Sequence, residues 1–229
     1  MTTQTEFRYD DLPSLMTRMT GDEKHSTAAT STLDVVWVLY DRILSIDPRD
    51  PADPDRDRFF LSKGHGPMAY YAVLAAKGFI LPDVLNTFAT FDSPLGHHPD
   101  ATLIPGVEFA AGSLGHGLPV AVGSSLALGI NGSPARVFCL LGDAELDEGS
   151  NHEAIAFAGR YALDRLTVVV IDNNSSSHAW PGGIARRFEV EGWSTATIDG
   201  RDHNAIEHAL GAAHAGSPRA VIAVVQGKY

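Results

Sequence analysis

RVFCLLGDAELDEGSNHEAIAFAGRYALDRLTVVVIDNN, residues 136–174, is the stretch that decides the fold. Its two ends, RVFCLLGD and LTVVVIDNN, are apolar runs without alternation, so each is expected to be a strand buried on both faces, as in a parallel sheet. Between them lies a helical pattern that opens on Glu and Asp and closes near Leu163, completing a βαβ unit. Asp143 ends the first strand, and Asn173 and Asn174 end the second. Ligands of parallel α/β sheets gather at the carboxyl ends of the strands. An anionic oxygen and an amide oxygen are therefore expected at one edge of one crevice. They are hard donors suited to Mg²⁺, which completes its octahedron with waters and substrate phosphates. A plainer reading makes Asp143 a helix N-cap and the two Asn residues turn formers.

Outward from that unit, strand and helix patterns keep alternating. Residues 1–9 are polar and expected to fray. Asp10–Thr20 and Ser31–Ile46 read as amphipathic helices, the second capped at Thr30 or Ser31. DPRDPADPDRDR is a surface loop, FFLS a short strand, and Gly66–Gly78 and Pro82–Phe91 helices. Leu118–Ile130 reads as a packed helix, Trp193–Asp199 as a strand, Asp202–His214 as a helix with an Asp N-cap, and Ala220–Gln226 as the last strand. The expectation is α/β: one domain over residues 1–229, a doubly wound, mainly parallel sheet flanked by helices.

The 229 residues carry 17 Lys and Arg against 28 Asp and Glu, a formal net charge of −11. Phosphate backbones are gripped by clustered Lys and Arg, so a nucleic-acid partner is not expected. The single cysteine, Cys139, lies in an apolar strand and reads as a buried, inert thiol. No basic-then-apolar leader is visible and no apolar run reaches the ~18 residues of a membrane span. A soluble, cytoplasmic protein without a membrane partner is expected.

Several further clusters have the composition of a site, and each has a plainer reading. Ser62-Lys63-Gly64-His65-Gly66 opens a helix after the FFL strand, where backbone NH groups, an imidazole or an ammonium suit a phosphate; otherwise it is a capped turn. Leu95–Asp100 holds His97 and His98 in a loop. Ala111–Gly117 is glycine-rich, which lets main chain approach a flat ring closely; otherwise it is a helix entry. His25 lies in a polar loop, Glu148 at a helix N-terminus, and His178 in the Ser175–Trp180 stretch. His152, His203, His208 and His214 fall on helical patterns and read as surface residues.

GD-A-x-x-x-E-G followed after about thirty residues by NN resembles the thiamine diphosphate (ThDP) motif. DRFFLSKGH, LGHHPD, GSLGHG and LGDAELDEGSNHEA, in that order, are similar to transketolase, and the resemblance covers about residues 30–227. It implies the ThDP-binding fold, with ThDP and Mg²⁺, or another divalent cation such as Ca²⁺ or Mn²⁺, as cofactors. It makes Asp143 and Asn174 metal ligands, with a main-chain oxygen at Ser176 as the third. Gly142, Asp143, Ala144, Glu145 and Asn174 would line the diphosphate, His65 would contact the diphosphate or the thiazolium, and Gly112, Ser113 and Leu114 would cradle the ring. His98, or His97 if the register is one off, would bond a sugar hydroxyl, and His25 would join the substrate site. Glu148 would face a partner half and link two active sites through carboxylates and water. His178 would lie against the cofactor. Ala144 stands where the family has Gly, His116 where it has Gln, and the Lys24–Ala28 and Ser175–Trp180 wordings also depart from it.

A site of this kind also needs a pyrimidine-binding domain whose glutamate reaches the cofactor ring. The resemblance here covers the diphosphate domain alone. The expectation is an N-terminal subunit of a split transketolase-like enzyme, in which a second polypeptide carries the pyrimidine domain, two of each chain forming a heterotetramer. It would move a two-carbon ketol unit from a ketose, free or phosphorylated, to an aldose. Alternatives are a subunit of another ThDP enzyme, acyloin-forming or keto-acid decarboxylating, and a degenerate regulatory subunit. No GxGxxG opens the first helix and no P-loop Lys-Ser/Thr is present, which speaks against a nucleotide-binding module.

Overall fold

The computed structural model describes residues 7–21, 27–176 and 180–225. Among them, five strands form one sheet in the order β1-β2-β3-β5-β4, every neighbouring pair parallel. The strands are β1 (Arg58–Leu61), β2 (Val137–Gly142), β3 (Leu166–Asp172), β4 (Ser194–Asp199) and β5 (Arg219–Val224). The helices are α1 (Leu12–Met16), α2 (Thr27–Thr30), α3 (Leu33–Val38), α4 (Met68–Ala76), α5 (Gly117–Ile130), α6 (Gly149–Arg160), α7 (Ile184–Glu189) and α8 (His203–Gly211).

All of β2 and all but the last residue of β3 are buried. Their unbroken apolar runs follow from having helices on both faces. One face carries Phe138, Leu140, Val169 and Ile171 against α1, α3, α4 and α8. The other carries Val137, Cys139, Val168 and Val170 against α5, α6 and α7. The chain steps across the sheet from β2 through β3 to β4, then turns back to β5. Right-handed crossovers then put α6 and α7 on one face and α8 on the other. Cys139 is fully buried, and burial holds its thiol protonated. No helix among the described residues is long and apolar enough to cross a membrane.

The helix expected over Ser31–Ile46 is α3 followed by a π-helical turn at Leu39–Ile43, closed by Leu44 N donating to Leu39 O at 2.8 Å. The helix expected at Pro82–Phe91 is a 3₁₀ turn over Pro82–Thr87. Asp202 caps α8 as expected, accepting from Asn204 N and Ala205 N. Three of the four histidines expected at the surface are engaged. His152 accepts from Arg187 at 2.8 Å, His203 lies 2.9 Å from Asp34, and His214 bridges Thr167 and Ser217. Only His208 of that set is exposed.

Asp34, 4% exposed, is the junction that ties the N-terminal segment to the far edge of the sheet. It accepts from Tyr9 Oη (2.6 Å) and Arg201 Nη1 (2.6 Å), with His203 Nε2 at 2.9 Å. Burial, then the hydrogen bond to Asp34, pushes the Tyr9 phenol well above its usual range. Asp34→Ala strands three partners, of which Arg201 and His203 are exposed enough to rehydrate. The expected cost is about 1–2 kcal/mol of stability, read as a lower midpoint in urea unfolding with an unchanged slope.

Candidate functional site

Four segments meet at the carboxyl end of the central strands: Ser62–Gly66 after β1, the glycine-rich loop before α5, the turn after β2, and the turn after β3. Close approach of α5 to β1 brings the first two together. Gly117 N donates to Ser62 Oγ at 3.0 Å, and a methyl group at Gly117 would stand 2.3 Å from Ser62 Cβ, so only glycine fits.

Asp143 is 1% exposed and leads a 3₁₀ turn over Ala144–Asp147. One carboxylate oxygen accepts from Ala144 N (2.9 Å) and from the Ser175 hydroxyl; the other accepts from Ser175 N (2.6 Å) and Ser176 N (3.2 Å). The ends of β2 and β3 are thus joined through the carboxylate expected to hold a metal, and Asp143 caps the turn as well.

The two asparagines differ in their settings. Asn174, exposed, sits at φ 56°, the left-handed conformation that Asn tolerates in turns. Asn173 is 5% exposed, and its Oδ1 is buried without a hydrogen-bond partner in the described structure. An orphaned buried amide oxygen costs free energy unless something else meets it. Asn173 therefore offers a second candidate amide donor beside Asn174, the one the resemblance implies, and Asn174 also turns the chain. The Ser176 hydroxyl lies 3.4 Å from Asp147.

Lys63, 7% exposed, runs its stem over Gly142 and donates from Nζ to His65 O at 3.0 Å. Burial pulls its ammonium down to about 8, against the attraction of Asp143 and Glu145. Glu145 is 1% exposed, and burial raises its pKa against the hydrogen bonds it accepts. Its Oε1 accepts from Gly115 N (3.0 Å) and the Ser62 hydroxyl, and its Oε2 from Gly142 N (3.3 Å). Its carboxylate thus accepts three hydrogen bonds from within the protein.

His98 Nδ1 donates to Gly64 O at 3.0 Å, and its ring lies against Gly112, where a methyl group would meet it at 3.0 Å. His97 instead packs edge-on against Phe88, centroids 5.5 Å apart. Of the two, His98 is the one beside the glycine loop. His65, Ser113, Leu114 and Glu148 are exposed at the mouth of the site, with the stem of Glu148 beside Gly115. Ala144 is half-buried. His25 and His178 lie outside the described residues.

The ThDP-binding domain family described as "Transketolase, thiamine diphosphate binding domain" matches residues 20–227. The chain belongs to the transketolase family. Among curated relatives, "Ferredoxin fas2" of Rhodococcoides fascians is 60% identical over 222 residues, spanning 96% of this chain and 73% of that protein. An apulose-4-phosphate transketolase subunit of Actinobacillus succinogenes is 38% identical over 206 residues, spanning 87% of this chain and 75% of that one. Among solved structures, the transketolase from Campylobacter jejuni superimposes with a TM-score of 0.79 at 27% identity, covering 94% of this chain. This chain spans 37% of that transketolase's length. Iron–sulfur clusters are held by several Cys thiolates, and this transketolase-family chain has one cysteine, enclosed in β2.

Asn151 is a residue beside the site that sequence reasoning did not single out, and Ser62 and Ser175 entered it only as the first residues of the Ser62–Gly66 and Ser175–Trp180 stretches. Asn151, wholly buried, donates from Nδ2 to Glu145 O at 2.6 Å. A polar residue on the inward stripe of α6 was the signal for it. Ser62 and Ser175 each follow a strand end closely, where short hydroxyls most often cap backbone.

Proposed function

We propose that this chain is the diphosphate-binding subunit of a two-chain, ThDP-dependent transketolase-like transferase, moving a two-carbon ketol unit from a ketose or ketose phosphate to an aldose. The observation that carries the reading is the meeting, at one sheet edge, of the buried Asp143 carboxylate with the turn that holds Asn173 and Asn174, joined to it through Ser175 N. One carboxylate, one amide oxygen and main-chain oxygens of the Ser175–Ser176 turn make a hard, oxygen-only donor set. That suits Mg²⁺ or a similar cation whose remaining ligands come from a diphosphate and water. Among the described residues no cluster of three or more His, Cys, Asp or Glu could hold a metal by itself. A site that relies on its ligand to complete the coordination agrees with that.

Each residue's part follows from its chemistry. Lys63 offers a buried cation beside Asp143, suited to neutralising diphosphate oxygens. His65 stands exposed just ahead of α4, and a helix N-terminus favours an anion. The glycine loop at Gly112–Leu114 presents main chain to a flat ring. With Nδ1 donating to Gly64 O, His98 keeps Nε2 to meet a sugar hydroxyl. When bound, ThDP supplies the carbon nucleophile for breaking and making carbon–carbon bonds next to a carbonyl.

A relative named as one subunit of its transketolase supports a second chain as the pyrimidine-binding partner. So do the exposed Leu114 and Val120 beside the glycine loop, and the exposed Phe157 of α6 stacked on Tyr161 just after it, α6 packing beside α5. Glu148, exposed at the start of α6, is suited to face that partner. Two of each chain are proposed to assemble.

The test is to purify this chain and a chain resembling the rest of transketolase, and to assay ketol transfer between sugar phosphates for each alone and for the mixture. Turnover is expected only in the mixture, with ThDP and Mg²⁺ present, at the mass of a heterotetramer. Full turnover by this chain alone would overturn the two-chain reading.

A further inference from the structure

Glu145 and Ser62 have no part in the roles proposed above, yet together they join three of the site's four segments. Both are 1% exposed. Gly117 N donates to Ser62 Oγ (3.0 Å), the Ser62 hydroxyl donates to Glu145 Oε1, and Gly115 N donates to the same oxygen (3.0 Å). Gly142 N reaches Oε2 at 3.3 Å, and Asn151 Nδ2 holds the Glu145 carbonyl at 2.6 Å. One hydrogen-bonded chain therefore runs from the strand end at Ser62 through the glycine loop to the turn after β2 and the first turn of α6.

The direction of this chain is fixed by chemistry. A carboxylate only accepts, so the single Ser62 proton must point at Glu145, which leaves the Ser62 lone pairs for Gly117 N. Gly115 and Gly117 flank His116 at the entry to α5, so both amides that set the height of the glycine loop end on this pair. The Ser62 and Glu145 side chains have both of their polar functions engaged, and the Oδ1 of Asn151 is the atom of the network left without a partner among the described residues.

We propose that Glu145 and Ser62 are a buried positioning pair, which holds the glycine loop at a set distance from the Ser62–His65 segment and so spaces the ring-facing and diphosphate-facing walls, and that Glu145 is not a cofactor ligand. The part concerning the cofactor rests on the ThDP reading above; the part concerning the loop does not.

The two parts are separable by experiment. In the intact chain without cofactor, Ser62→Ala and Glu145→Leu are each expected to speed hydrogen exchange at the Gly115 and Gly117 amides by about tenfold or more. Glu145→Gln keeps the Oε1 acceptor and loses only the longest contact, so its exchange is expected to stay within about threefold of the parent. Calorimetry with Mg²⁺ and ThDP should show weaker binding for Ser62→Ala and Glu145→Leu, near-parental binding for Glu145→Gln, and no further loss in the Ser62→Ala/Glu145→Leu double variant. With the partner present, the ThDP concentration for half-maximal rate should rise in Ser62→Ala while kcat at saturation holds. Unchanged exchange at Gly115 and Gly117 in Ser62→Ala would overturn the proposal. So would a Glu145→Gln variant that loses ThDP binding with its exchange unaltered, since that is the behaviour of a direct ligand. If Glu145→Leu does not fold, Ser62→Ala and Glu145→Gln decide the matter. If the parent chain with its partner binds no ThDP, the proposed function fails, and the exchange data still judge the pair.

Discussion

Asp143→Ala is expected to lower the joint affinity for Mg²⁺ and ThDP by roughly 100-fold or more. Outer-shell partners of a bound metal are commonly worth about 10–100-fold, and Asp143 is the proposed ligand itself and its only charged one. The measurement is calorimetric titration of ThDP into the chain with its partner, at fixed Mg²⁺. The variant also removes the acceptor for Ser175 N, Ser176 N and the Ser175 hydroxyl, so a stability loss of about 1–3 kcal/mol accompanies it. Binding is therefore to be compared well below the variant's unfolding temperature. The asparagines supply the internal control. Asn173→Ala should follow Asp143→Ala, because it deletes the orphaned amide oxygen. Asn174→Gly should bind normally and lose no stability, because glycine accepts φ 56° at no steric cost. The reverse order would make Asn174 the amide donor.

Gly159→Ala is expected to destabilise the fold by roughly 3 kcal/mol, although helix propensity alone favours Ala by about 1 kcal/mol. Gly159 lies near the end of α6, and a methyl group there would stand 1.8 Å from the main-chain oxygen of Glu191. Overpacking usually costs about 1–3 kcal/mol, because a side chain can move aside. Here the obstacle is backbone in the connection from α7 to β4, so relief means parting α6 from that connection. The clash therefore outweighs the propensity gain. For a chain of this size roughly 2–4 °C is lost per kcal/mol, so a fall in Tm of about 6–12 °C is expected by calorimetry. A raised Tm would mean that the connection moves away at little cost.

Much of this architecture could be read from residues 136–174. Unbroken apolar runs around an amphipathic helix admit few arrangements, and the parallel pairing of β2 with β3 is the one found. The carboxylate was equally legible, because a lone Asp closing such a run has nowhere to lie but the sheet edge. The choice between Asn173 and Asn174 was not, because it depends on which of two adjacent residues turns the chain, and strand periodicity ends at Asp172. The setting of Glu145 was hidden for a related reason. A motif reports that a carboxylate is present, and only the fold reports that two donors from other segments, with the nearby Gly142 N, already occupy it. Helix α7 escaped notice because it buries a single residue, Phe188, and so carries almost no periodic signal. The histidines at 152, 203 and 214 fall on helical patterns or just beyond one, yet their partners Arg187, Asp34 and Thr167 are 35, 169 and 47 residues away in sequence.

The serines that cover Asp143 have a thermodynamic consequence. A cation reaching that carboxylate does not find bare charge; it exchanges places with amide and hydroxyl donors already seated there. Any measured affinity is then a difference between two satisfied arrangements. Replacing the Ser175 hydroxyl would alter metal affinity without removing a proposed ligand, simply by changing how well the protein solvates its own anion beforehand.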